Sequence, residues 1–136
     1  MKTININGSE YTVEQLSKIL EEAKKKSPMD EVYKYHNTTE DQFEKDYSNT
    51  PLHLKYYQKE VMIVAFYNKG WKPNMKDKNE RKYYNWYYND PFRFYCVDYS
   101  CESSGVPSAL LLQKEEYGKE IAEKFKKEIE QSRLTM

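Results

Sequence analysis

The 136 residues are the size of one ordinary domain, long enough to bury roughly 70% of the surface an unfolded chain exposes. Lys+Arg and Asp+Glu both number 22, a formal net charge of zero that excludes any global electrostatic drive toward nucleic acid or anionic membrane. With 32% charged residues and a mean hydropathy of -1.05 the chain would read as disordered, but its apolar residues are gathered into blocks, so a folded domain is expected.

Thr3-Ile4-Asn5-Ile6 alternates, Asn7-Gly8 supplies a tight turn and Ser9-Glu10-Tyr11 returns, which predicts a β-hairpin. Thr12-Val13-Glu14-Gln15 has the spacing of a capping box. Val13, Leu16, Ile19, Leu20 and Ala23 follow at helical spacing, so a helix should run to about Lys25 and stop before Pro28, with Glu21, Glu22, Lys24 and Lys25 on its solvated face.

Residues 27–49 are polar and poorly periodic, with Val32, Tyr33, Tyr35, Phe43 and Tyr47 as the only anchors. The expectation is a loop with one or two short helical turns, one of them from Thr39. Thr50-Pro51 opens the next helix, Thr50 as N-cap and Pro51 at the first helical position. That helix carries Leu54, Tyr57, Val61, Val64 and Phe66 and stops at Gly70. The apolar run Val61–Tyr67 fits a strand as well, because a short run has no decisive period.

A Lys-rich loop follows, then Tyr83–Tyr88, Phe92–Tyr99 and Ala109–Leu112, aromatic and branched segments separated by Asn89-Asp90-Pro91 and Ser103-Ser104-Gly105. They predict a three-stranded antiparallel meander. Alternation puts Phe92, Phe94, Cys96 and Asp98 on one face, making Cys96 a small core residue. From Lys114 to about Arg133, Tyr117, Ile121, Phe125 and Ile129 recur every four residues in an amphipathic helix. The whole reads as one α+β domain over 1–136: an N-terminal hairpin, helices on a small antiparallel sheet, and a closing helix.

Met1–Asn5 lacks the apolar stretch of about 7 to 15 residues that export needs, and no run reaches the ~20 residues of a membrane span. The expectation is a cytoplasmic protein whose Cys96 and Cys101 stay thiols. These cysteines are too far apart in sequence for the usual zinc pair. Neither His36 nor His53 has the neighbours of a nucleophilic site, and the four glycines are scattered at turns. No catalytic residue, metal or cofactor is therefore expected.

Tyr67-Asn68-Lys69-Gly70-Trp71-Lys72-Pro73-Asn74, Asp77 and Lys82-Tyr83-Tyr84-Asn85-Trp86 resemble a family of small, mostly uncharacterised proteins of Bacteroidetes phages and prophages. The likeness spans roughly residues 50 to 130 and continues weakly in Gly105–Gln113 and in Tyr117-Gly118-Lys119 with Phe125. Ala109 and Met75 stand where the family carries Arg and Trp. The resemblance implies a mobile-element origin and brings no catalytic residues.

Exposed rings beside cations build protein hot spots or stack single-stranded bases. The expected contact surface is Trp71, Lys72, Lys76, Lys78, Lys82, Tyr84, Trp86, Tyr88 and Arg93. Together with the resemblance it suggests a non-enzymatic accessory protein that binds a host macromolecule, such as an inhibitor of a CRISPR effector. A nucleic-acid-binding module and a homo-oligomeric phage structural or assembly protein are the alternatives.

Overall fold

A computed structural model of the chain describes the backbone of residues 2–25 and 27–136 and the side chains of all of these except 23–25. The predicted contributions of Ala23, Lys24 and Lys25 lie outside the described side chains. Strands β1 (Thr3–Ile6) and β2 (Ser9–Thr12) form the expected hairpin. Asn7 and Gly8 both take positive φ, 51° and 86°, as a two-residue turn of this hand requires. Helix α1 (Val13–Lys25) opens on the capping box: the Gln15 amide donates to Thr12 Oγ1 at 3.1 Å, and the Thr12 amide donates to Gln15 Oε1 at 2.8 Å.

Residues 27–49 are more ordered than expected. They form α2 (Pro28–Tyr35) and α3 (Glu40–Asp46), the latter capped by Thr39, whose hydroxyl accepts from the Gln42 amide. Met29, Val32 and Tyr33 occupy one buried face of α2, and Phe43 is the buried residue of α3. Each helix presents so few apolar positions that its period is lost among polar residues. Tertiary packing decides both: Phe43 lies 5.5 Å from Tyr33 and stacks on Tyr47 at 4.5 Å.

Helix α4 (Leu52–Asn68) resolves the helix-or-strand ambiguity and forms the axis of the fold. It starts one residue later than predicted, with Pro51 at the N-cap, and ends through Lys69 and Gly70 at φ 47° and 93°. Met62, Ile63, Val64 and Tyr67 are buried along it, and so are Glu60 and Asn68.

Strands β3 (Lys82–Asn89) and β4 (Phe92–Ser100) form a second antiparallel hairpin. The predicted third strand does not form. Ser108–Leu110 is a 3-10 turn, and a single bridge joins Tyr83 to Leu112. The side chain of Asn68 takes the place of a strand neighbour, donating to the Leu111 carbonyl at 2.9 Å and accepting the Gln113 amide at 3.1 Å. Leu110, Leu111 and Leu112 are all buried, without the alternation of a half-buried strand.

The closing helix is two helices, α5 (Glu115–Lys124) and α6 (Lys126–Leu134), that change direction at Phe125. The break lets α5 pack on the β3–β4 hairpin and α6 on α4. Phe125 is buried edge-on to Tyr67 at 6.3 Å. Among the described residues no helix is long and apolar enough to cross a membrane.

Close approach of α5 to the hairpin depends on Gly118. A Cβ there would lie 2.3 Å from Asn85 Oδ1 and 2.9 Å from Val97 Cγ2. Gly118→Ala should therefore cost about 1 to 3 kcal/mol of stability in urea denaturation, the usual range for overpacking.

Burial first, then nearby acidic side chains, holds the Tyr33 and Tyr67 phenols protonated to well above their ordinary range. Tyr87 is pushed up to about 12, chiefly by burial. An unfolded chain gives up these protons near the ordinary value of 10.0, so above it the folded state holds more protons and stability falls as pH rises from about 10 toward 12. Denaturation midpoints followed by circular dichroism should drop across that window.

Candidate functional site

The β3–β4 hairpin has two unlike faces because its inner side is taken by the core. Tyr83 and Tyr87 pack against the buried cluster, and Tyr87 stacks on Phe92 at 4.9 Å. Asn85 sits between them, its Nδ2 donating to the Gly118 carbonyl at 2.8 Å and to Tyr87 Oη at 2.9 Å.

The outer side carries the cross-strand pairs Tyr84 with Asp98, Trp86 with Cys96 and Tyr88 with Arg93. A register shift between Trp86 and Tyr87 leaves Tyr95 as the extra, unpaired residue, a β-bulge. The bulge breaks the predicted alternation. Phe92 and Phe94 pair toward the inner side, whereas Cys96 lies half-buried opposite Trp86 on the outer side and not in the core.

Tyr88 and Tyr95 meet edge to face at 5.0 Å, and the Arg93 guanidinium lies 4.3 Å from the Tyr88 ring. Trp86, Tyr88, Tyr95 and Asp98 line one shallow depression of about 600 Å³. Trp86 is 44% and Tyr95 58% exposed. Burying rings of this size is a large favourable term, and Arg on Tyr adds a cation–π contact.

The predicted contact residues do not form one surface. Tyr84 is buried: a Cβ on Gly105 would lie 3.4 Å from its ring, so the loop after β4 covers it. Lys82, only 1% exposed, is not available to a partner. Its Nζ donates to the carbonyls of Asp77 at 3.0 Å, Glu80 at 3.1 Å and Cys101 at 3.4 Å, with Glu80 Oε1 at 3.6 Å. An ammonium has three donors, and here they clamp the loop before β3 to the end of β4.

Lys72, Lys76 and Lys78 are exposed on that loop, which is shaped by Asn74 Oδ1 accepting the Lys76 amide, Asp77 Oδ1 accepting the Asn79 amide and Glu80 Oε1 accepting the Asn74 amide. The loop joins the base of the hairpin, whereas Tyr88 and Arg93 are at its tip. Six residue steps of strand separate Lys82 from Tyr88, about 20 Å. Trp71 belongs to a third place, which it shares with Lys72: an apolar cleft of about 390 Å³ beside α4, with Tyr35, His36, Val61 and Pro73 among its lining.

On the hairpin, Trp86, Tyr88 and Arg93 are thus the predicted residues that the fold brings together. Tyr95 joins them. Its contact with Tyr88 follows from a bulge that has no sequence signature.

Among the described residues no three His, Cys, Asp or Glu side chains gather to hold a metal ion. His36 Nε2 is 2.9 Å from the Met62 carbonyl, and His53 is exposed in the first turn of α4. No protein family, curated protein or solved structure matches the chain.

Lys82→Met keeps the aliphatic stem but leaves its carbonyl partners without their donor. It should lower stability by about 1 to 3 kcal/mol in urea denaturation, while Lys76→Met and Lys78→Met should leave the midpoint unchanged.

Proposed function

We propose that this protein is a non-enzymatic binding protein that engages a protein partner through the outer face of the β3–β4 hairpin. The observation that carries this reading is the open strip of Trp86, Tyr88 and Tyr95 with Arg93 laid on Tyr88. Tyr, Trp and Arg are the residues that most often supply binding energy at protein interfaces. They are held here on paired strands, so little conformational freedom is lost on binding.

The charge around the strip favours protein over nucleic acid as the partner. Its cation is Arg93, and Asp98 lines the same depression. A single-strand groove would set several lysines beside the rings to track phosphates, whereas the Lys-rich loop lies at the far end of the hairpin. The resemblance to phage and prophage proteins directs the choice of partner to a host defence effector, such as a CRISPR nuclease. The proposed mode of action is occupation of a functional surface in the host cytoplasm, without a cofactor.

The test is capture of partners from a bacterial host lysate by the full chain and by two variants. The Trp86→Ser/Tyr95→Ser variant should lose a nuclease-resistant protein partner, each substitution weakening binding about 30-fold as expected for residues worth ~2 kcal/mol. The Lys72→Glu/Lys76→Glu/Lys78→Glu variant should retain it. Loss of all partners on nuclease treatment, or with the lysine variant alone, would overturn the proposal in favour of nucleic-acid binding.

A further inference from the structure

Helix α4 ends in a reversal that builds a cleft. Lys69 and Gly70 both take positive φ, and the chain folds back so that the Trp71 amide donates to the Asn68 carbonyl at 2.9 Å. Trp71, Lys72 and Pro73 thereby line a space together with Val61, Val64 and Ala65 of α4. Two further segments complete it. Tyr35 and His36 come from the end of α2. A carbonyl only accepts, so His36 Nε2 donates to the Met62 carbonyl at 2.9 Å and the ring is fixed. Ala109 and Leu111 come from the segment after the second hairpin, which Asn68 holds through the Leu111 carbonyl.

The cleft of about 390 Å³ falls within the roughly 300 to 1,000 Å³ of small-molecule sites. Its chemistry is one-sided. None of the lining residues is acidic, and Lys72 is among them. A second cation is close, because the Lys69 ammonium lies 4.5 Å from the ring centroid of Tyr35 and 3.6 Å from that of Phe66. Among the described residues no carboxylate is within ion-pair distance of either lysine.

The acids of the neighbouring elements are engaged elsewhere. Glu31, one turn before Tyr35, lines a different depression with Asp30, and Glu60 is paired with Arg133. Asp77 and Glu80 accept backbone amides of their own loop. The side chains outside the described set, Met1 and residues 23–26, include no acid. The cleft therefore favours an anion.

The body of that anion is set by the apolar lining. Val61, Val64 and Leu111 offer only hydrocarbon, and the one side-chain amide there, Asn68, is committed at both ends to Leu111 and Gln113. A nucleobase or sugar would lose its hydrogen bonds to water against such a surface. A hydrocarbon ring loses none, and the rings of Trp71 and Tyr35 add aromatic contact beyond area burial.

We infer that this cleft binds a small aromatic carboxylate, its ring among Trp71, Tyr35 and the aliphatic side chains and its carboxylate toward Lys72 and Lys69. Such an occupant touches α2, α4 and the segment after the hairpin at once, so it stabilises the fold by mass action. The site is separate from the ring strip and stands or falls independently of it.

Trp71 and Trp86 are the two tryptophans of the chain, and their indole N–H signals in heteronuclear NMR spectra test the inference. Titration of the full chain with naphthoate should shift the Trp71 signal, saturating at or below about 1 mM, and should raise the thermal midpoint. Lys72→Glu should move saturation at least about tenfold higher, and neutral naphthamide should bind wild type at least about tenfold more weakly. Ala109→Phe, at an exposed position, should fill the cleft and abolish the shift while the Trp86 signal and the thermal transition are retained.

A Trp71 signal that does not move, or moves without saturating, overturns the inference. Equal responses to naphthoate and naphthamide overturn it too, since the cations then play no part. Tighter binding of decanoate would make this an aliphatic site, and tighter binding of adenosine monophosphate a nucleotide site, each against the inference. A shift confined to Trp86 would place the probe on the ring strip and overturn it as well.

Discussion

A carboxylate inside a protein needs a cation within reach, and for Glu60 that cation is Arg133. The Arg133 Nε lies 2.9 Å from Oε1 and its Nη2 2.9 Å from Oε2, while the Ser132 hydroxyl donates to Oε1 at 2.8 Å. Pairing a buried charge does little for net stability, but removing one partner strands the other. The pair therefore acts as a register mark that sets where α6 lies along α4. Arg133 also lies 5.4 Å from the Tyr87 ring, so the same guanidinium links the two helices to the inner face of the hairpin. Two turns further along α4, Asn68 performs the corresponding task with neutral groups by holding the Leu110–Leu112 segment through an amide that imitates a strand.

The outer face of the hairpin follows from what these contacts exclude. With Tyr83, Asn85 and Tyr87 directed toward α5 and the core, the intervening residues have to face away. Gly118 permits α5 to close on the strands, at the expense of leaving Asn85 Oδ1 buried without a partner. Lys82 then anchors the base of the hairpin from within. Sequence reasoning counted its charge among the contact groups, whereas backbone carbonyls consume that charge.

Signals confined to a few adjacent residues were legible. The Asn7-Gly8 turn, the capping box between Thr12 and Gln15 and the stop at Gly70 need no knowledge of distant parts of the chain. The β3–β4 hairpin was equally readable, because branched and aromatic runs flanked a clear turn. What failed depended on contacts remote in sequence. Residues 28–35 and 40–46 become helical because Phe43 and Tyr33 find each other and α4. The third strand yields to an Asn68 side chain more than forty residues away. Phe125 bends a helix that its own period would keep straight, since α5 and α6 have different surfaces to cover. For the site, Trp86, Tyr88 and Arg93 were legible from composition. The burial of Tyr84 under Gly105, the sequestration of Lys82 and the bulge at Tyr95 were not.

The two-faced hairpin also bears on how this chain can change over generations. Register in β3 and β4 is held by the inner side chains, by Asn85 against α5 and by Lys82 at the base, none of which belongs to the ring strip. Trp86, Tyr88, Arg93 and Tyr95 can consequently be exchanged for other residues without disturbing the interior that supports them. A lineage could retain this scaffold and rewrite four adjacent positions, and relatives would then preserve the pattern of Asn85, Gly118 and Lys82 long after their outer faces had ceased to resemble one another.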